Sequence, residues 1–216
     1  MRMNRIASLW MAAAFAVAFA GVSQAQAPAG DPAPTVLAIG SPAPMADTKM
    51  TGVGGKEITL AEAAGKKGTM VIFMCNHCPW VKAWQTRITK IGNTAVSKGI
   101  GVVAVNSNDP AAYPEDDMAN MKTRAKDLGF KFPYVVDATS DVARAFGATH
   151  TPEIYLFDAS GKLVYHGAVD DNRDEKLVKK PYLTEAVAAV AAGKPVALAE
   201  TKSLGCGIKF RGKSES

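Results

Sequence analysis

Long apolar runs are scarce in this chain of 216 residues. The longest that matters, Ile6 to Ala20, falls short of the roughly 20 residues a spanning helix needs, and no charge cluster follows it as a stop-transfer signal. Stable membrane insertion is therefore not expected. A basic stripe with interleaved aromatics is also missing: Lys and Arg are spread among acids, so nucleic acid is not an expected partner. There are no internal repeats. Cysteine and histidine are sparse, three of each. Three cysteines make no disulfide framework, and a chain of this length can bury a core without staples. Hydrophobic residues at 48% and charged residues at 21% fit one globular domain.

The N-terminus reads as an export signal. Arg2 and Arg5 give a short positive region, Ile6 to Ala20 an uncharged apolar one, and Ser23, Ala25 and Ala27 supply small residues for cleavage. Residues 1–25 are thus expected to be a signal peptide cleaved near Ala25, since cutting after Ala27 would leave Pro28 at the new terminus. Residues 26–34 read as a flexible Pro/Ala/Gly linker, 35–200 as the domain, and 201–216 as a tail, with Gly205 and Gly207 suggesting mobility around Cys206. Export places the protein in the periplasm or outside the cell, where thiols tend to oxidise.

The strongest strand signal is Thr69 to Met74, a continuous apolar run of the kind buried on both faces. It leads into Cys75-Asn76-His77-Cys78-Pro79, and a helix is expected from Pro79 to about Lys98. A second buried strand is expected over 100–105, a helix over 114–128, a strand over 134–136, a helix over 140–146, a hairpin of 153–157 with 162–166, and an Ala-rich helix over 181–192. Earlier, 35–39 reads as a short strand, 56–60 as a strand able to pair, and 61–68 as helix-like. The alternation of strands and helices predicts an α/β fold, a sheet with helices on both faces.

A C-x-x-C where a buried strand meets a helix has a physical logic. The helix N-terminus offers unpaired N–H groups and roughly half a positive charge, which favours a thiolate, and only the thiolate attacks a disulfide. This argument makes Cys75 the nucleophile and Cys78 the thiol that resolves the mixed disulfide. The alternative is a structural disulfide. His77, between them, would stabilise the thiolate and make the pair more oxidising, unless it is a spacer facing solvent. Asn76 reads as a turn residue. Trp80 is either a contact surface for substrate or a packing residue. Thr151-Pro152, in the loop before the hairpin, would pass beside the dithiol, where a cis proline can leave Thr151 backbone groups free to hold an incoming peptide. An ordinary turn proline is the alternative.

VIFMCNHCPWV, GVVAVNSND, HTPEIYLFDASGKLVYHG and the tail SLGCGIKF resemble the thioredoxin superfamily, more closely its exported redoxin or AhpC/TSA-like branch, over about residues 36–210. The resemblance implies a thioredoxin-like fold with a central mixed sheet, an added N-terminal β-hairpin, a cis Pro152, and dithiol chemistry at Cys75 and Cys78. Peroxiredoxins use Pro-x-x-x-Thr/Ser-x-x-Cys. Here Cys75 stands at the Thr/Ser position and Val71 at the Pro position, so the hydroxyl that orients peroxide is missing.

The expected function is an exported thiol–disulfide oxidoreductase, with an antioxidant role as an extension. It needs no cofactor and no metal, and takes as partners the disulfides or thiols of exported proteins or a redox partner protein. The alternative is a Sco-like copper-assembly protein. His150 precedes Thr151-Pro152 as a histidine does in those proteins, and Cys75, Cys78 and His150 would be suitable copper ligands. The weaker alternative is a peroxiredoxin-like peroxidase.

Overall fold

The computed structural model describes residues 35–212, so the expected signal peptide and linker lie outside the described residues. No helix among the described residues is long and apolar enough to cross a membrane. The elements in chain order are β1 (Met50–Gly52), β2 (Glu57–Ile58), β3 (Gly68–Phe73), α1 (Pro79–Ser97), β4 (Gly101–Asn106), a 3₁₀ turn (Pro114–Asp116), α2 (Met118–Leu128), β5 (Tyr134–Val136), α3 (Asp141–Phe146), β6 (His150–Thr151), β7 (Glu153–Asp158), β8 (Leu163–Gly167), a second 3₁₀ turn (Glu175–Leu177), α4 (Tyr182–Ala191) and β9 (Cys206–Gly207).

Seven strands form one mixed sheet in the order β2-β1-β5-β4-β3-β7-β8. β3, β4 and β5 run parallel, while β7 and β8 add antiparallel, as does the hairpin β1–β2 on the far edge. Successive strand side chains point to opposite faces. Met70, Ile72 and Met74 therefore join the core that holds Trp84 and Ile88 of α1, Met121 of α2 and Leu183 of α4. Val71 and Phe73 join the opposite core with α3. There Phe146 meets Phe73, Tyr155 and Phe157 edge-on, at centroid distances of 5.3, 5.1 and 6.1 Å, the arrangement aromatic quadrupoles favour. The doubly buried β3 carries the chain through the middle of the domain and delivers Cys75 at the end of the sheet.

Four expectations are corrected. Residues 35–39 form no strand: Leu37 N–H donates to the Phe146 carbonyl at the end of α3 and, just beyond the segment, Gly40 N–H donates to the Leu163 carbonyl at the start of β8, so the chain here is tied to a helix end and a strand start without a ladder of its own. Residues 61–68 form no helix. Thr59 and Glu62 exchange side-chain and backbone hydrogen bonds of 2.9 and 3.0 Å as a capping box, but it opens only one turn. At Gly65 the backbone presses against residues 99–101, where an added Cβ would lie 2.2 Å from the Gly101 nitrogen. The helix expected over 114–128 is broken: Asp117 caps α2 by accepting from Asn120 N–H at 2.7 Å, and the preceding 3₁₀ turn rotates Asp116 inward.

The tail is the fourth. It is tied down rather than loose. Thr201 Oγ1 bonds Tyr165 Oη and Ala168 N–H, β9 pairs antiparallel with β6 (Thr151 opposite Cys206, His150 opposite Gly207), and Lys209 N–H donates to Asn108 Oδ1 at 2.8 Å.

Candidate functional site

The C-x-x-C loop hangs from β3 and is held by side chains from distant parts of the chain. Asp116 is the centre of this anchorage. Its Oδ1 accepts the backbone N–H groups of Asn76 (2.6 Å) and His77 (3.0 Å), while its Oδ2 meets His77 Nδ1 (2.6 Å) and Asn108 Nδ2 (2.8 Å). Asn76 is buried: its amide donates to the Glu115 carbonyl, its Oδ1 accepts from Tyr134 Oη, and its carbonyl accepts from Arg124. Asn76 is thus a structural pin for the loop, more than the turn residue the sequence suggests. His77 commits Nδ1 to Asp116 and stacks on Tyr113 at 3.9 Å and 9°.

Pro152 follows a cis peptide bond, and Thr151 faces both cysteines. Its Oγ1 lies 3.3 Å from Cys75 Sγ and its carbonyl oxygen 3.1 Å from Cys78 Sγ. Both sulfurs are buried, and all three cysteines are free thiols. Glu153 braces this loop. Its Oε2 accepts the N–H groups of Thr149 and His150, and its Oε1 meets His166 Nε2 at 2.7 Å. Burial works against the Glu153 carboxylate, but His166 and the two N–H donors outweigh it and hold the pKa below the ordinary value.

The thiolate expected at Cys75 and the helix geometry point to different sulfurs. Helix α1 starts at Pro79, so Cys78 and not Cys75 is its N-cap, the position closest to the helix's unpaired N–H groups. The Cys78 pKa is lowered to about 4, first by the hydrogen bond from Cys75, against the penalty of burial, with the Cys206 side chain and the backbone N–H groups of Val81 and Cys206 adding to the effect. The Cys75 thiol is pushed up, first by that same bond, then by burial and by the Asp116 charge. When Cys78 is protonated, its thiol donates to the Thr151 carbonyl. The charge that bears on Cys75 belongs to Asp116, the residue sequence reasoning missed. Its only outward mark is the acidic run 115–117 behind Pro114, which reads as a helix start.

Two other expectations change. His150 does not join the cysteines: its Nδ1 meets Thr149 Oγ1 at 2.8 Å, so the trio Cys75, Cys78 and His150 is not assembled. Among the described residues, the donor atoms of Cys75, His77 and Asp116 do lie within 4.8 Å of one another. Both Asp116 oxygens are already filled by four donors, which suits anchoring better than ligation. The Thr151 edge expected to await a peptide is paired with the chain's own tail at Cys206. Trp80 is half-buried, tilted against Trp84 at 5.4 Å, with the Arg173 guanidinium 5.4 Å from its ring. Beneath the site, Arg87 and Asp170 form a buried ion pair, and Trp84 Nε1 donates to Asp170 at 2.8 Å.

A family model described as Redoxin matches residues 28–182. The chain is 27% identical over 129 residues to the thiol-disulfide oxidoreductase ResA of Geobacillus thermodenitrificans, covering 60% of this chain and 68% of that protein. Among solved structures it resembles a hypothetical protein from Sinorhizobium meliloti (36% identity, 82% of this chain and 97% of the other, TM-score 0.75). It also resembles an uncharacterized conserved protein from Geobacillus kaustophilus (38% identity, 81% and 93%, TM-score 0.75). A thioredoxin-like protein in its oxidized form, at 21% identity and TM-score 0.56, shares the fold, with coverage of 72% of this chain and 97% of that one.

Proposed function

The chain belongs to the redoxin family and is a thioredoxin-like thiol–disulfide oxidoreductase, and from that premise we propose that Cys75 and Cys78 are its redox centre. One observation carries this reading: Thr151 meets both sulfurs in front of the cis proline, with Cys78 capping α1 and its pKa lowered to about 4. The Cys78 thiolate attacks one sulfur of a substrate disulfide, whose S–S bond breaks as the new bond forms. The first substrate sulfur leaves as a thiolate and takes a proton. Cys75 then gives up its proton and attacks the Cys78 sulfur, closing Cys75–Cys78 and releasing the second substrate thiol. Two electrons pass from the protein to the substrate, and the reverse sequence donates a disulfide. His77 and Asp116 act as positioning residues that fix the loop.

The substrates are protein disulfides or thiols, and the leader at 1–25 supports export, so they would be those of exported proteins or of a redox partner. An antioxidant role would follow from returning oxidised thiols to use. The test is dithiothreitol-driven reduction of insulin and of oxidised glutathione. The wild type is expected to accelerate at least one, and Cys78→Ser to fall to the rate of dithiothreitol alone. A wild-type rate equal to that background for both substrates overturns the proposal.

A further inference from the structure

The tail occupies the place where an incoming chain would pair. β9 lies antiparallel on β6, and the residue it sets opposite Thr151 is a cysteine. Its fit there is built in. Gly205 passes so close to Thr151 that an added Cβ would sit 2.2 Å from the Thr151 carbonyl oxygen. Beyond it, Ile208 N–H donates to the Thr149 carbonyl and Arg211 N–H to Ser140 Oγ. Cys206 packs against the core cluster that holds Cys75 and Cys78, and the carbonyl of Thr151, the residue it pairs with, accepts from Cys78 Sγ at 3.1 Å, so the three sulfurs share one locality. Cys206 is half-buried, whereas the other two are fully buried.

We propose that Cys206 is a third redox-active thiol, carried by an internal strand that docks as a substrate would, and that it exchanges with Cys75 for the Cys78 sulfur. The proposal rests on the oxidoreductase reading above. In the exchange, the Cys206 sulfur loses its proton and attacks Cys78 within the Cys75–Cys78 disulfide. The Cys78–Cys206 bond forms, the Cys75–Cys78 bond breaks, and Cys75 leaves as a thiolate that takes up the proton. Nothing is oxidised or reduced overall. The same attack on a Cys78–substrate mixed disulfide releases the substrate thiol. The Cys206 pKa is pushed up to about 11, by burial first and then by its hydrogen bond to Cys78 and the Cys78 charge. That charge disappears when Cys78 enters a disulfide, so Cys206 becomes easier to ionise when its attack is called for.

The experiment removes Cys75. Full-length Cys75→Ser is incubated with oxidised glutathione, quenched in acid, alkylated, and digested with trypsin without reduction. Lys67 and Lys82 bound the Cys78 peptide, and Lys202 and Lys209 bound the Cys206 peptide. The expected product joins the two peptides. It should exceed the glutathione adduct by at least about tenfold at ~0.1 mM glutathione, because a tethered thiol has an effective concentration on the order of mM. Adding Cys206→Ser should leave the adduct on Cys78. A glutathione adduct that persists on Cys78 while Cys206 stays free overturns the exchange and leaves the oxidoreductase reading intact. No disulfide at Cys78 under any condition overturns both. The wild type guards against a misfolded variant: a quench series must show the joined peptides beside the Cys75–Cys78 loop, and their absence at every time point also overturns the exchange.

Discussion

Cys78 differs from Cys75 by one turn of geometry. It caps the helix, and Cys75 sits one loop further back beside the buried carboxylate of Asp116. This predicts a pH profile. With the Cys78 pKa lowered to about 4, the thiolate persists through neutral pH and is lost only as the pH falls through that value. Alkylation of the Cys75/Cys78 peptide by iodoacetamide should therefore be flat around neutrality and drop about tenfold per pH unit only in the acid range. A rate still climbing through neutral pH, as for an ordinary thiol, contradicts the assignment. The two cysteines were legible in the sequence because their spacing is itself the motif. Asp116 was not: it lies forty residues away in chain order, and no local pattern separates an acid that turns inward from its neighbours Glu115 and Asp117, which stay at the surface or cap a helix.

Among the elements, those made by periodicity alone were readable. β3, α1, β5 and the β7–β8 hairpin fall close to where alternation and turn residues put them. The elements that contact decides were hidden. β6 and β9 are two residues each, too short for any period, and exist because each is the other's partner. The glycines that hint at a mobile tail instead permit close approach. Gly205→Val tests this. Its side chain has no room against the Thr151 carbonyl, so β9 should lift away. Cys206 should then react faster with maleimide, and the Cys78–Cys206 product in the Cys75→Ser background should largely disappear. The stability cost should stay within the ~0.5–3 kcal/mol usual for point substitutions, because the main sheet is untouched. Unchanged Cys206 reactivity would show that the tail tolerates the side chain in place.

Across the whole molecule, one buried acid joins the hairpin to the proline loop. Glu153 links β8, through His166, to the backbone of Thr149 and His150, and the tail crosses His166 at Glu200. Because the folded pKa of Glu153 is depressed, its contribution is complete above the ordinary value of 4.5 and is lost as the pH falls from there through the folded value. Denaturant midpoints measured against pH should show Glu153→Gln less stable than wild type at neutral pH, with the gap narrowing in acid. A gap that stays constant through the acid range counts against the linkage. The α/β class follows from the order of elements in the sequence, but this bracing does not, since no local pattern ties Glu153 to His166 thirteen residues on.

The paired tryptophans at the start of α1 give the molecule an optical consequence. Of the three tryptophans in the sequence only Trp80 and Trp84 lie among the described residues, and they lean on each other 5.4 Å apart at the start of the helix that follows Cys78. Thiolates and disulfides quench excited indoles to different degrees, so each turnover should change the protein's own fluorescence, and the redox state can be followed in real time with no added dye.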